Sequence, residues 1–211
     1  MRRFIYGIIS MAVALHSCNM AGFTPKEGDL LFCVAEGSDF SNAITNVTAY
    51  NDSLQFDHVA MVVYENNCPF VIEASSKKGV SISSLNDFLT TATHVNGKIG
   101  VVVKRIAIDF SAIAAAEKAR SFMGEPYDWS FLPDNGKMYC SELIYECYRN
   151  DDNTPLFTSK PMTFKDANGN IPQFWIDLFQ SHDETIPEGI QGTNPNDMAK
   201  SPILIEVHRY F

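Results

Sequence analysis

Cys140 has the strongest claim to nucleophilic chemistry. It falls at the start of a helical stretch, Tyr139 to Arg149 (YCSELIYECYR), after the Gly-containing loop Pro133-Asp134-Asn135-Gly136. Backbone N–H groups at a helix start are unpaired and carry partial positive charge. They stabilise a thiolate and can bind a developing oxyanion. The commoner fate of a free Cys is a small buried hydrophobe. Cys147, two turns further on, and Cys33, in an apolar run, read that way.

A working thiol needs a base. His58 opens the apolar run Asp57 to Tyr64 (DHVAMVVY), where an unpaired charge is costly. His94, His182 and His208 lie in stretches that read as solvated. Glu73 interrupts Phe70 to Ala74 (FVIEA), which reads as a buried strand. A buried carboxylate needs a partner. Side chains alternate along a hairpin, so an even-residue loop puts His58 and Glu73 on one face, and an odd-residue loop separates them. A carboxylate on one imidazole nitrogen would fix the tautomer and leave the other nitrogen for the thiol. Tyr127, in the turn Gly124 to Trp129 (GEPYDW), could donate to an oxyanion or position substrate. Asp57 is expected on the face opposite His58, and Glu142 on the exposed side of the first helical turn.

The elements that must place these residues read as follows. Gly28 to Ala35 (GDLLFCVA) is a short buried strand, and Ser38 to Val47 is a helix with Ser38 as N-cap. Asp57 to Tyr64 and Phe70 to Ala74 form a hairpin about the turn signal Asn66-Asn67-Cys68-Pro69. Gly79 to Ser83 is a third strand, followed by a short helix over Leu85 to Leu89. Gly100 to Ile108 is a strand and Ala112 to Met123 a helix. In the tail, Ile171 to Phe179 reads as a helix with Pro172 near its first turn, Ile186 to Asn196 as a surface loop, and Ile203 to Val207 as a last strand. The fold class is α+β, with a small, mostly antiparallel sheet packed against helices.

Composition narrows the function. The 211 residues are 45% hydrophobic and 19% charged, ordinary for a globular chain. A net charge of -9 without a Lys/Arg-rich run disfavours nucleic acid. No HExxH or CxxC metal motif occurs, and no cofactor is expected. Residues 1–17 read as a signal peptide: Arg2 and Arg3, then an apolar run from Phe4 to Leu15 that is too short to span a bilayer. Leu15-His16-Ser17-Cys18 resembles a lipobox, which would leave Cys18 as the lipidated N-terminus of a single domain, 18–211. That predicts a cell-envelope, periplasm-facing or surface location. A plain secretory signal and an uncleaved anchor are the alternatives. Five sparse cysteines argue against a disulfide-built fold, although a Cys33–Cys68 bridge stays open.

Several segments, in order, resemble the permuted papain-like amidases of the NlpC superfamily, the YiiX/YaeF-like group. They are GDLLF (Gly28 to Phe32), HVAMVV (His58 to Val63), VIEAS (Val71 to Ser75), GEPYDW, YCSEL and IPEGIQGTNP (Ile186 to Pro195). The resemblance implies a circularly permuted papain-like fold in which the His and its partner precede the Cys. It implies that Cys140 attacks a carbonyl, His58 activates it, Glu73 orients His58, and Tyr127 with the Cys140 N–H forms the oxyanion hole. The expected activity is hydrolysis of amide bonds, in peptidoglycan stem peptides or related amino-acid amides. Acyl hydrolysis or transfer on lipids, or non-catalytic wall binding, are the other readings, because fold does not fix substrate.

Overall fold

The computed structural model describes residues 22–48 and 54–211. The leader and Cys18 lie outside the described residues. The strands are β1 (Leu30–Val34), β2 (Phe56–Glu65), β3 (Cys68–Ser75), β4 (Gly79–Ser84), β5 (His94–Val95), β6 (Lys98–Ile99), β7 (Val101–Ile106), β8 (Lys160–Pro161), β9 (Gln191–Gly192) and β10 (Leu204–Arg209). The helices are α1 (Asp39–Thr48), α2 (Leu85–Thr91), α3 (Ala112–Ser121), α4 (Cys140–Cys147), α5 (Gln173–Ser181) and α6 (Pro195–Ala199).

Six strands form one sheet in the order β10-β7-β1-β2-β3-β4, antiparallel at every step. The remaining strands are two-residue pairs, β5 with β6 and β8 with β9. Both faces of the central strands are covered, which is why β2 reads as an unbroken apolar run. Val59, Met61 and Val63 pack with Leu143 and Ile144 of α4. Ala60 and Val62 pack on the other side with Leu85, Phe88 and Leu89 of α2.

The β2–β3 loop is Asn66-Asn67, with φ of 51° and 62°. Two residues at positive φ make the mirror-image turn whose twist matches a hairpin, and Asn tolerates that conformation. The loop is therefore even, with Glu65 opposite Cys68 and Met61 opposite Ile72.

The Gly-Asp pair that opens β1 has a structural role. Asp29 is fully buried and accepts two hydrogen bonds from Arg105, at 2.6 Å from Nε and 2.7 Å from Nη2. A buried charge persists only when paired and hydrogen-bonded in this way. Gly28, at φ 76°, offers its carbonyl to the Tyr148 hydroxyl at 2.8 Å, which ties β1 to the residue that caps α4.

Two expectations change and one open alternative closes. Ile186 to Asn196 is a surface loop only in part: Glu188 to Gln191 are exposed, but the stretch holds β9 and the start of α6, and Pro195 and Asn196 are buried. The polar Asn196 is satisfied inside, accepting from Phe56 N at 2.8 Å and donating to Thr48 Oγ1 at 2.8 Å. Gly, Pro and Asn mark turns, but the same residues serve buried backbone when their polar atoms find partners. Cys33 is a free thiol, so the Cys33–Cys68 bridge is not formed. The strand placed over Gly100 to Ile108 is shorter, Val101–Ile106, because the Gly100 N–H bonds back to Thr93 O at 2.6 Å. Among the described residues, no helix is long and apolar enough to cross a membrane.

Candidate active site

Cys140 is the first residue of α4, and Tyr139 is its N-cap. The thiol therefore sits where the helix presents its unpaired N–H groups. The preceding loop is held by Asp128, which is fully buried. Its carboxylate accepts from Ser130 N at 2.9 Å, Ser130 Oγ at 2.6 Å, Leu132 N at 2.9 Å and Asn135 Nδ2 at 3.0 Å. Two backbone bonds, Met138 N to Pro126 O and Asp128 N to Met138 O, both at 3.1 Å, clamp Tyr127 beside the residues that lead into Cys140. The Tyr127 ring packs edge-on against Trp129 with centroids 4.8 Å apart.

His58 and Glu73 come together. Counting back from Met61 opposite Ile72, both fall on the α2 face of the hairpin. His58 Nε2 donates to Glu73 Oε2 at 2.7 Å. Phe88 of α2 flanks the imidazole, its ring centroid 6.4 Å away. With Nε2 taken by Glu73, Nδ1 is the nitrogen left to face Cys140, whose proximity favours a proton on the imidazole.

The charges follow this geometry. Burial opposes a proton on His58, but hydrogen bonds to Cys140 and Glu73 outweigh it and hold the imidazole well above the usual histidine range. Burial would raise Glu73, yet the His58 hydrogen bond, the His58 charge and Lys78 bring it below the ordinary carboxylate range. For Tyr127, burial and then the neighbouring Cys140 push the phenol up, so it stays a hydrogen-bond donor. Cys33 and Cys147 are raised chiefly by burial and remain thiols.

Two expectations about neighbours fail. Asp57 lines the same cleft as His58, so strand alternation does not keep the two apart. The pairing steps from Cys33–His58 to Val34–Phe56, so Asp57 is the extra residue of a β-bulge that breaks strand alternation. Glu142 is buried, with only 8% of its surface exposed. It accepts from Tyr139 N at 3.3 Å, as the third helical residue of a capping box does, and burial pushes its carboxyl up to about 8.

Two cavities adjoin the site. One is a cleft of about 290 Å³ lined by His58, Glu73, Asp57, Glu36, Lys77 and Lys78 among others. The other is a slot of about 60 Å³ lined by Cys140 and by apolar side chains. Tyr127 and Ile44 line both. His94 and His182 are exposed, and His208 stacks on Phe23 at 4.3 Å, away from the cleft. Thr193 was not singled out in the sequence. It pins the segment after β9 to the Cys helix, with its N–H on the Tyr139 hydroxyl at 3.1 Å and its Oγ1 on Ser141 Oγ at 3.0 Å. Asp128 was missed as well. Its signal was the Ser two residues on, the spacing of an Asx turn.

A base bonded to a carboxylate, preceding in the chain a thiol at a helix start, is a papain-like arrangement in permuted order. The family model of permuted papain-like amidase enzymes, the YaeF/YiiX or C92 family, matches residues 24–208.

The chain belongs to this family.

The amidase is similar to YiiX of Escherichia coli strain K12, 27% identical over 186 residues, which cover 87% of this chain and 86% of that one. Its fold is like that of the crystal structure of metalloprotein yiiX from Escherichia coli O157:H7. The TM-score is 0.70 at 24% identity, covering 89% of this chain and 98% of the other. Among the described residues, no three His, Cys, Asp or Glu side chains are grouped to hold a metal ion. The observed fold, a mostly antiparallel sheet between helices, is the α+β class expected from the sequence.

Proposed function

We propose that this chain is an exported cysteine amidase that cleaves amide bonds in peptidoglycan stem peptides or related amino-acid amides. Cys140, His58, Glu73 and Tyr127 carry the reaction. The observation behind this reading is the imidazole of His58, tied to Glu73 at 2.7 Å through Nε2, with Cys140 at the start of α4 near enough to favour its proton.

The Cys140 thiolate attacks the amide carbon, and the carbonyl electrons move to oxygen. The Cys140 N–H and the Tyr127 hydroxyl stabilise that oxyanion. As it collapses, the C–N bond breaks and His58 gives its proton to the leaving amine. A water then loses a proton to His58 and attacks the thioester. The acid leaves and Cys140 is restored. Glu73 holds the imidazole in one tautomer and orientation throughout.

The leader supports export, with Cys18 lipidated and the domain facing the periplasm or the surface. Replacing Cys18 with Ala should release the protein from the membrane fraction, and unchanged membrane retention argues against the lipid. The catalytic reading is tested with iodoacetamide and a panel of peptidoglycan fragments, amino-acid amides and acyl lipids followed by mass spectrometry. Cys140 should label ahead of Cys33 and Cys147 at neutral pH, and Cys140→Ala should abolish turnover of amides. Cys140-dependent turnover of lipids alone would favour acyl hydrolysis or transfer. Wall binding that Cys140→Ala leaves intact, without turnover, would make this a binding module.

A further inference from the structure

Resting on the amidase reading above, we infer that the site divides its substrate between two unlike cavities. The apolar slot beside Cys140 takes a small acyl group, and the charged cleft takes a leaving group whose free carboxylate is read by Lys77 and Lys78.

The chemistry assigns the two sides. His58 must deliver its proton to the departing nitrogen, so the amine lies in the cleft that His58 lines. The acyl carbon is bonded to the Cys140 sulfur, so its substituent lies in the cavity that Cys140 lines and His58 does not. Tyr127, which lines both, stands where the carbonyl between them must be.

The linings differ in kind. The slot is walled by Val47, Phe131, Met162, Phe164 and Trp175. Its volume of about 60 Å³ suits a short aliphatic substituent. The far wall of the slot is Thr193-Asn194-Pro195, held against the first turn of α4 by the Thr193 bonds.

The cleft is charged in both signs. Two of its three acidic groups have duties within the protein: Glu73 holds His58, and Asp57 accepts from Glu36 N at 3.1 Å, while the Glu36 carboxylate adds a negative charge to the lining. Lys77 and Lys78 project from the exposed β3–β4 turn at the rim. In a chain of net charge -9, this adjacent cationic pair gives the cleft a local seat for an anion. An amino acid or short peptide released from its amide would place its carboxylate there.

The test uses matched substrates, N-acetyl-alanyl-glycine and N-acetyl-alanyl-glycinamide, with lauroyl-glycine as the long-acyl member and Cys140→Ala as the control. The free acid should exceed the amide in kcat/KM by about fivefold to tenfold, the effect of one or two partly screened charge pairs. Lauroyl-glycine should not turn over. In the Lys77→Glu, Lys78→Glu double variant, the preference for the free acid should vanish or reverse. Equal or better cleavage of the amide by the wild type would overturn the carboxylate assignment and leave the amidase reading standing. Efficient cleavage of lauroyl-glycine would overturn the slot assignment in the same way. Absence of Cys140-dependent turnover of all three would instead count against the amidase reading itself, and this inference would go with it.

Discussion

His58 and Glu73 are fifteen residues apart in the chain and meet at 2.7 Å because the two-residue Asn66-Asn67 turn keeps their strands in even register. The bond joins an imidazole whose proton is stabilised to a carboxylate whose charge is stabilised, each by the other.

Glu73→Gln keeps the shape of the side chain and removes its charge. Its amide can also present N–H to the ring and favour the wrong tautomer. We expect kcat/KM to fall at least about a hundredfold. The pH profile should move as well. Glu73 raises the His58 value, so its neutralisation lowers that value, and the alkaline limb, where the imidazolium is lost, should shift to lower pH. A variant with a reduced rate and an unmoved alkaline limb would contradict this account of Glu73.

Glu142 makes stability depend on pH in the opposite sense to an ion-paired carboxylate. Its folded value of about 8 stands above the unfolded reference of 4.5. Between these values the folded state binds more proton than the unfolded state, so stability falls as pH rises from about 4.5 to 8. Glu142→Gln keeps an acceptor for the Tyr139 N–H and carries no charge. Its Tm should therefore gain on the wild type as pH rises through that window, the difference levelling off above it. A difference that stays constant across the window would show that burial does not penalise this charge.

Asp128 shapes the loop that leads into Cys140. Asp128→Ala removes the acceptor of four hydrogen bonds, two of them from backbone N–H groups. The expected cost is about 3 kcal/mol, a fall in Tm on the order of 10 °C. Activity measured well below the new Tm should also drop, since the loop that clamps Tyr127 to Met138 loses its anchor. Calorimetry and turnover at low temperature separate the two effects, and an unchanged Tm would refute the anchoring role.

Much of the architecture could be read in advance because its signals are local. The apolar run of β2, the Asn-Asn turn and the alanine-rich stretch of α3 each state their conformation within about ten residues. Asp57 escaped that reading because a bulge is fixed by the partner strand: where β1 steps from Cys33 to Val34, β2 must absorb one residue. Glu142 escaped it because the exposure of a helical carboxylate depends on what is packed over the first turn, here the wall of a neighbouring cavity. The segment from Ile186 to Asn196 looked like a loop because its Asn, Gly and Pro content is the same whether the polar groups meet water or buried backbone.

The sequence by itself determined the kinds of groups available and their order: a thiol at a helix start, a histidine opening an apolar strand, a carboxylate in the strand that follows, and a tyrosine before the thiol. Those are properties of residue type and short-range periodicity. Only the tertiary structure decided that the carboxylate bonds the histidine, that the bulged aspartate joins the cleft, and that the thiol lines an apolar slot which shares Tyr127 with the charged cleft of the histidine. Each of these depends on strands and helices far apart in the chain being brought to one end of the sheet. That placement is set by burial of both sheet faces at once, and no local stretch of sequence encodes it.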